Sequence, residues 1–203
     1  MNSVSIDQWL ADLAARQPTP GGGGAAALAA ATSAALVSMV AKYTAGPKFA
    51  EVEAQAAEID AEAEALRATA IGLIEGDAEA FAAVGEAYGL PKEDEGRKAR
   101  IQAALAGAAE PPRRVAQVAS SVVELASRLE PIGNRNVLSD VGVAASLAGS
   151  AIESAIVNIE VNRQLIEDPA TRDALTADVE AVQASRERAR ELVDSVRRSI
   201  TAS

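Results

Sequence analysis

Neither histidine nor cysteine occurs among the 203 residues. The usual neutral-pH proton carrier, the thiol nucleophile and the softer metal ligands are therefore missing, and no metal site is expected. Chemistry must come from carboxylates, lysines, side-chain amides, hydroxyls and backbone N–H groups. Such groups concentrate in a few places. Pro18-Thr19-Pro20-Gly21-Gly22-Gly23-Gly24 runs directly into an alanine-rich segment. Glycines let a ligand approach the backbone, and a helix start offers unpaired N–H groups to an anion. No Gly-Lys-Ser/Thr follows and no strand pattern precedes, so this is neither a Walker loop nor a dinucleotide fingerprint. A second polar group is Gly133-Asn134-Arg135-Asn136 with Ser139 and Asp140; a helix start there favours the Asp140 carboxylate. A third is Ser146, Ser150, Ser154, Asn158 and Asn162, spaced by four. On a helix of 3.6 residues per turn each such step drifts by about 40°, so only near neighbours such as Asn158 and Asn162 share a face. Asp77 stands in an acidic helical run, and Lys42 and Lys48 are bases in the first third of the chain. Each feature alone has an ordinary structural explanation: a turn, a cap, an interhelical hydrogen bond or a solvated face.

The elements that must position these residues all read as helices. Ser5 with Gln8 has the form of a capping box opening a helix to about Arg16, with Ile6, Leu10 and Leu13 at helical spacing and Trp9 as its inner anchor. After the glycine run, Ala25 to Thr44 is apolar or small on all sides until Lys42, which marks a buried helix. Pro47 suits the first position of a next helix, reaching about Ala87. Another spans about Glu93 to Arg128, with Pro111 and Pro112 expected to kink or split it. A small-residue helix covers about Asn136 to Ile166, and Asp168-Pro169 opens a last, charged helix to about Ile200. The expectation is an all-α bundle of about six or seven helices, several long and Ala-rich, forming one domain over residues 1–203.

Composition supports this and removes other classes. Alanine accounts for 48 residues and aromatics for 2 %, which disfavours strands built on aromatic and β-branched pairs. A net charge of −10 argues against nucleic acid and against an anionic membrane surface as partners. The N-terminal run lacks the basic and apolar blocks of a signal peptide, and Gly21 to Val40 is too rich in Gly, Ala, Ser and Thr to make a good membrane span, so a cytoplasmic protein is expected. Two nearly all-small helices are much to bury in one bundle of this size, which points to a homo-oligomer, a dimer first.

The order of the motifs is more specific than any one of them. Pro18-Thr19-Pro20-Gly21-Gly22-Gly23-Gly24-Ala25-Ala26-Ala27, Leu36-Val37-Ser38-Met39-Val40 and Thr44, then Asp77-Ala78-Glu79-Ala80-Phe81, Leu90-Pro91-Lys92 and Pro112, then Gly133-Asn134, Ser139-Asp140, Asn158 and Asn162 resemble the cyclodeaminase/cyclohydrolase family over about residues 3–170. Within it the glycine-alanine opening looks most like the bacterial methenyltetrahydrofolate cyclohydrolase branch. The resemblance implies hydrolysis of a methenyl bridge between two folate nitrogens, with a tetrahydrofolate derivative as substrate and no cofactor beyond it. The alternatives are formiminotetrahydrofolate cyclodeaminase and a non-catalytic folate-binding oligomer. It further implies Asp77 and Asp140 as carboxylates for the cationic carbon and its attacking water, and Lys48 or Lys42 as proton donor or tail contact. Asn134, Asn158 and Asn162 would hold the pterin edge, with Pro20, Gly21, Gly22 and Gly23 at a carboxylate or carbonyl.

Overall fold

The computed structural model describes residues 4–202. Among them are eight α-helices and no strand: α1 Ile6–Ala14, α2 Gly22–Lys42, α3 Glu53–Gly89, α4 Arg97–Ala108, α5 Glu110–Leu129, α6 Leu138–Leu165, α7 Pro169–Ala181 and α8 Gln183–Thr201. Short 3-10 turns, Pro47–Phe49 and Arg135–Val137, precede α3 and α6. The all-α reading holds, with two expected helices each divided. Pro111 and Pro112 fall in the first turn of α5, where a missing N–H costs nothing, so they start a new helix instead of kinking an old one. The last helix breaks at Val182. Gly72, Gly76 and Gly85 leave α3 unbroken over 37 residues, about 55 Å at 1.5 Å per residue.

Local chemistry explains the helix starts. Ser5 Oγ accepts from the Gln8 N–H at 3.1 Å, but the Gln8 side chain turns to Asp12 at 2.9 Å, so only half of the capping box forms. Asp168 accepts from the Thr171 N–H at 2.8 Å. Trp9 is buried, as expected of an anchor, whereas Ile6 and Leu10 are 74 % and 50 % exposed. The inner face of α1 is thus Trp9 with Leu13, which is partly buried against the core, while Ile6 and Leu10 lie outside.

The core is layered around α2, α5 and α6, with α3 and α8 on its flanks. It is built of Ala27, Ala30, Ala34, Ala144, Ala148, Ala151 and Ala155, all fully buried, with Val37, Val122, Val141 and Ile152 between them. Methyl-sized side chains let helix axes approach, and buried area then accumulates along the length of the helices instead of through bulky aromatics. Ser33, buried, donates to the Ala144 carbonyl at 2.7 Å and ties α2 to α6. The close approach extends to α8, where a Cβ at Gly142 would lie 3.0 Å from Val196 Cγ1. By length and composition α2 and α6 are long and apolar enough to cross a membrane, yet 61 % and 50 % of their most apolar windows are buried within the bundle. Their partners here are other helices.

The Gly142 contact is directly testable. Gly142→Leu should force α8 away from α6 and destabilise the fold by about 1–3 kcal/mol, lowering the thermal midpoint by several degrees. An unchanged midpoint in a thermal melt followed by circular dichroism would show that the two helices are not in close contact.

Candidate functional site

The α2 start is unusual in having no cap of its own. Gly21 offers no side chain, and geometry leaves the first amides of the helix without partners inside it. A carboxylate from 53 residues away supplies the acceptor: Asp77 Oδ2 takes the Gly24 N–H at 3.0 Å. Gly23 makes this possible. A Cβ there would stand 2.0 Å from Asp77 Oδ1, well inside any real contact. Beneath, the Trp9 ring lies 3.7 Å from where a Gly24 Cβ would be, so α1 closes the back of the seat. The Asp77 carboxyl is half-buried; burial pushes its pKa up, and the Gly24 N–H offsets part of that rise.

A cleft of about 260 Å³ opens in front of Asp77, between the start of α2, α3, the α4–α5 junction and the end of α6. Gly21, Gly22, Gly23, Asp77, Asn158 and Asn162 all line it, with Pro18 and Thr19 at one side. Pro20 packs just behind, toward Gly24. Asn158 sits over Gly22, its Oδ1 3.7 Å from the position of a Gly22 Cβ. The amides are already partly engaged: Asn158 Nδ2 donates to the Ser154 carbonyl at 2.8 Å, and Asn162 Nδ2 donates to Asn158 O at 2.9 Å and Ala108 O at 3.2 Å. Asn162, with its amide nitrogen donating twice, has its Oδ1 left as an acceptor, whereas Asn158 keeps both Oδ1 and one N–H, each within 4 Å of the Gly22 Cβ position.

Sequence reasoning did not single out the apolar wall. Val84, Leu105, Ala108, Val161 and Leu165 join Phe81 and Pro112 around the cleft. Phe81, Val161 and Leu165 are 53 %, 56 % and 49 % exposed, a flat apolar surface facing a carboxylate. The signal was present: Asn158, Val161, Asn162 and Leu165 stand at i, i+3, i+4 and i+7, one face of a helix. No Lys or Arg lines the cleft. Arg113, beside Pro112, is held by Asp178 at 2.6 Å and Glu110 at 3.1 Å.

The other expected site residues lie at the opposite end of the bundle. Asp140 is in the first turn of α6, 18 residues before Asn158, or about 27 Å along the helix. Lys42 ends α2, about 30 Å from Gly22. Lys48 lies in the 3-10 turn that follows. Within one chain, then, Asp140, Lys42, Lys48 and Asn134 do not share the Asp77 cleft. Asn134 works in the backbone: its N–H donates to Thr44 Oγ1 at 3.0 Å, its Nδ2 to the Tyr43 carbonyl at 2.9 Å, and its Oδ1 accepts from the Asn136 N–H at 3.0 Å. It pins the loop before α6 to the end of α2. Lys42 is engaged by Glu64 at 3.1 Å, Asp60 at 3.3 Å and the Ser38 hydroxyl at 2.9 Å. The contact with Glu64, before that with Asp60, raises its pKa, while Arg67 first, then Ser38 and Lys42, hold Glu64 down at about 2. This is an ion-pair network joining α2 to α3. The serines are structural as well, since Ser150 and Ser154 bond to carbonyls four residues back. They line a larger groove of about 630 Å³ between α6 and α8, where Glu153 is paired with Arg186 and Arg190 and no expected site residue is found. Among the described residues no group of three or more acidic side chains is placed to hold a metal ion.

A half-buried carboxylate on an uncapped helix end, faced by amide carbonyls and an apolar wall inside an Ala-rich bundle, defines the class to which the chain is then matched. The formiminotransferase-cyclodeaminase family model matches residues 5–181, and the chain belongs to that family. It is 42 % identical over 185 residues to a methenyltetrahydrofolate cyclohydrolase of Methylorubrum extorquens, covering 89 % of each chain. It is 32 % identical over 163 residues to a formimidoyltransferase-cyclodeaminase of Mus musculus, of which it spans 30 %. The crystal structure of formiminotetrahydrofolate cyclodeaminase from Thermotoga maritima superposes with a TM-score of 0.90 over 98 % of both chains at 30 % identity.

The seat of Asp77 can be probed by stability alone. Gly23→Ala should destabilise by about 1–3 kcal/mol through overpacking, and Gly23→Ala/Asp77→Ala should recover part of that loss. Additive losses in a double-mutant cycle would show that the two positions do not meet.

Proposed function

We propose that the chain is a methenyltetrahydrofolate cyclohydrolase, converting 5,10-methenyltetrahydrofolate and water to 10-formyltetrahydrofolate. It works in the cytoplasm, as a homodimer. The observation that carries this reading is Asp77: a raised carboxyl, held by one oxygen on Gly24 N–H, facing an open cleft with flat apolar walls. The 42 % identity to a cyclohydrolase, against 30 % and 32 % to cyclodeaminases, supports it over the cyclodeaminase reading.

The substrate carbon is cationic, shared between N5 and N10. The Asp77 anion stabilises that cation and takes a proton from the attacking water as the new C–O bond forms. The proton then passes from Asp77 to N5 as the C–N5 bond breaks, and the remaining hydroxyl proton leaves to solvent as the formyl carbonyl forms on N10. Water, one carboxylate and the substrate suffice, with no further cofactor. Phe81, Val161 and Leu165 offer the surface for the ring system, and Asn158 and Asn162 offer carbonyls to its N–H groups. The Gly22 and Gly23 amides, at the positive end of α2, face its polar edge.

The formiminotetrahydrofolate cyclodeaminase reaction passes through the same kind of tetrahedral carbon, and the likeness to proteins of that name favours it as second reading. Absorbance assays with each substrate separate the two.

Burial costs an ionised Asp77 free energy that its unfolded form does not incur. The sign follows: a carboxyl whose folded pKa is raised lowers stability as pH climbs from its unfolded pKa through its folded one. Asp77→Asn removes that cost and keeps an oxygen for Gly24. It should fold at least as stably as the parent at neutral pH, while kcat falls by on the order of 100-fold or more for loss of a general base. In the parent, kcat/KM should decline on acidification with a midpoint above the ordinary carboxylate range. Parent-like turnover by Asp77→Asn would remove the assignment.

A further inference from the structure

The end of α6 has no cap in its own sequence. The chain leaves the helix at Ile166 in extended form, with no glycine there and no backbone N–H returning to the last turn. Geometry leaves the final carbonyls of such a helix without donors. Gln102, half-buried on α4, supplies what is missing. Its Nε2 donates to the Leu165 carbonyl at 3.2 Å, and its Oε1 accepts from the Glu167 N–H at 2.7 Å. In an extended chain the carbonyl before a residue and the N–H after it point to the same side, so one primary amide meets both, as a neighbouring strand would. Ile166, between them, is buried in a small second core with Ile101, Leu105 and Leu175. Lys98, one turn before Gln102, meets Glu167 at 2.7 Å, but both side chains are largely exposed and the pair adds little. A second tie lies further along α4, where the carbonyl of its last residue, Ala108, accepts from Asn162 Nδ2. Leu105 stands between the two ties and lines the Asp77 cleft, as Leu165 does from α6. Two side-chain amides thus set the spacing of the α4 and α6 walls. Asp77 stands apart from both, since its seat joins α2 to α3.

We infer that Gln102 is a positioning residue for this site: by capping the end of α6 from α4, it holds Leu165 at the spacing from Leu105 that a flat ring system fills. Gln102 is not itself a lining residue of the cleft, so it acts through Leu165. The inference rests on the cyclohydrolase reading for the ring system served, but not for the clasp itself. An apolar wall touches substrate and transition state alike, whereas the proton transfers belong to Asp77. Loss of the clasp should therefore weaken binding and leave the chemical step as it is, which in kinetics is a raised KM at constant kcat.

Gln102→Met keeps the length of the side chain and removes both hydrogen bonds. It should raise KM for the methenyl substrate about tenfold, with kcat within about twofold of the parent and the acid midpoint of kcat/KM unmoved. The Kd for 5-methyltetrahydrofolate, a reduced folate with no methenyl carbon for water to attack, should rise by the same factor in calorimetric titration. Lys98→Met, which removes only the exposed pair with Glu167, should keep the parent KM. If Gln102→Met does not fold, Gln102→Glu decides: it keeps an acceptor for the Glu167 N–H, loses the donor to Leu165, and should raise KM as well. Parent-like KM and Kd in a folded Gln102 variant, or a fall in kcat at constant KM, overturns the positioning role. Hydrogen exchange followed by NMR tests the clasp without activity. In Gln102→Met the Glu167 amide should exchange faster while the Gly24 amide, held by Asp77, keeps its rate; an unchanged Glu167 amide overturns the clasp. A parent that binds the reduced folate, and loses it tenfold in Gln102→Met, but hydrolyses no methenyl substrate would reject the cyclohydrolase reading and leave the positioning role standing.

Discussion

The architecture of the site depends on one contact, the Asp77 carboxylate resting on the uncapped end of α2. A helix start needs acceptors for its first amides, and here the local sequence has only glycines. The acceptor comes from the middle of α3, and Gly23 leaves room for it. The same contact holds α2 and α3 in register, limits solvation of the carboxyl and aims its free oxygen into the cleft. The same arrangement joins two helices and perturbs the carboxyl: desolvation raises the affinity of Asp77 for a proton, and the Gly24 N–H bond offsets part of that rise.

Small side chains make this geometry available. With alanine, glycine or serine at most buried positions of α2 and α6, the helices approach until Ser33 reaches the Ala144 carbonyl and Gly22 lies under Asn158. Larger residues would hold the α2 start away from both Asp77 and α6, and the cleft between them would widen. The cost of such a core is incomplete enclosure. Helices that are apolar all round keep an apolar outer side, and in one chain α2 and α6 expose theirs.

The two ends of the bundle divide the polar residues by role. At one end a carboxylate, amide carbonyls and flat apolar side chains converge on a cavity. At the other, Asn134, Thr44, Lys42 and Glu64 are engaged in joining the ends of α2, α3 and α6. Lys42 shows how a residue type misleads: a lysine near a functional motif reads as a catalyst, yet three neighbours on α2 and α3 hold it as part of an ion-pair network.

The sequence alone determined the helical class and the buried character of α2 and α6, and it singled out the glycine run, Asp77 and Asn158, which the fold brings to one cleft. These rest on composition, periodicity and motif order, which are local or nearly so. Tertiary structure alone decided that Asp77 caps α2, that the Asn162 amide nitrogen is taken up by two backbone carbonyls, and that Asp140 and Lys48 lie a bundle's length from the cleft. Periodicity places a residue on a face but does not say which helix that face meets, nor at what height along a 55 Å rod. It placed Ile6 and Leu10 inside because the spacing of a stripe does not show how much of it the rest of the chain covers. The apolar wall at Phe81, Val161 and Leu165 escaped notice for a related reason. Exposed apolar residues are ordinary one at a time, and only the placing of α3 and α6 on either side of the α2 start shows that these three line one cleft with Asp77.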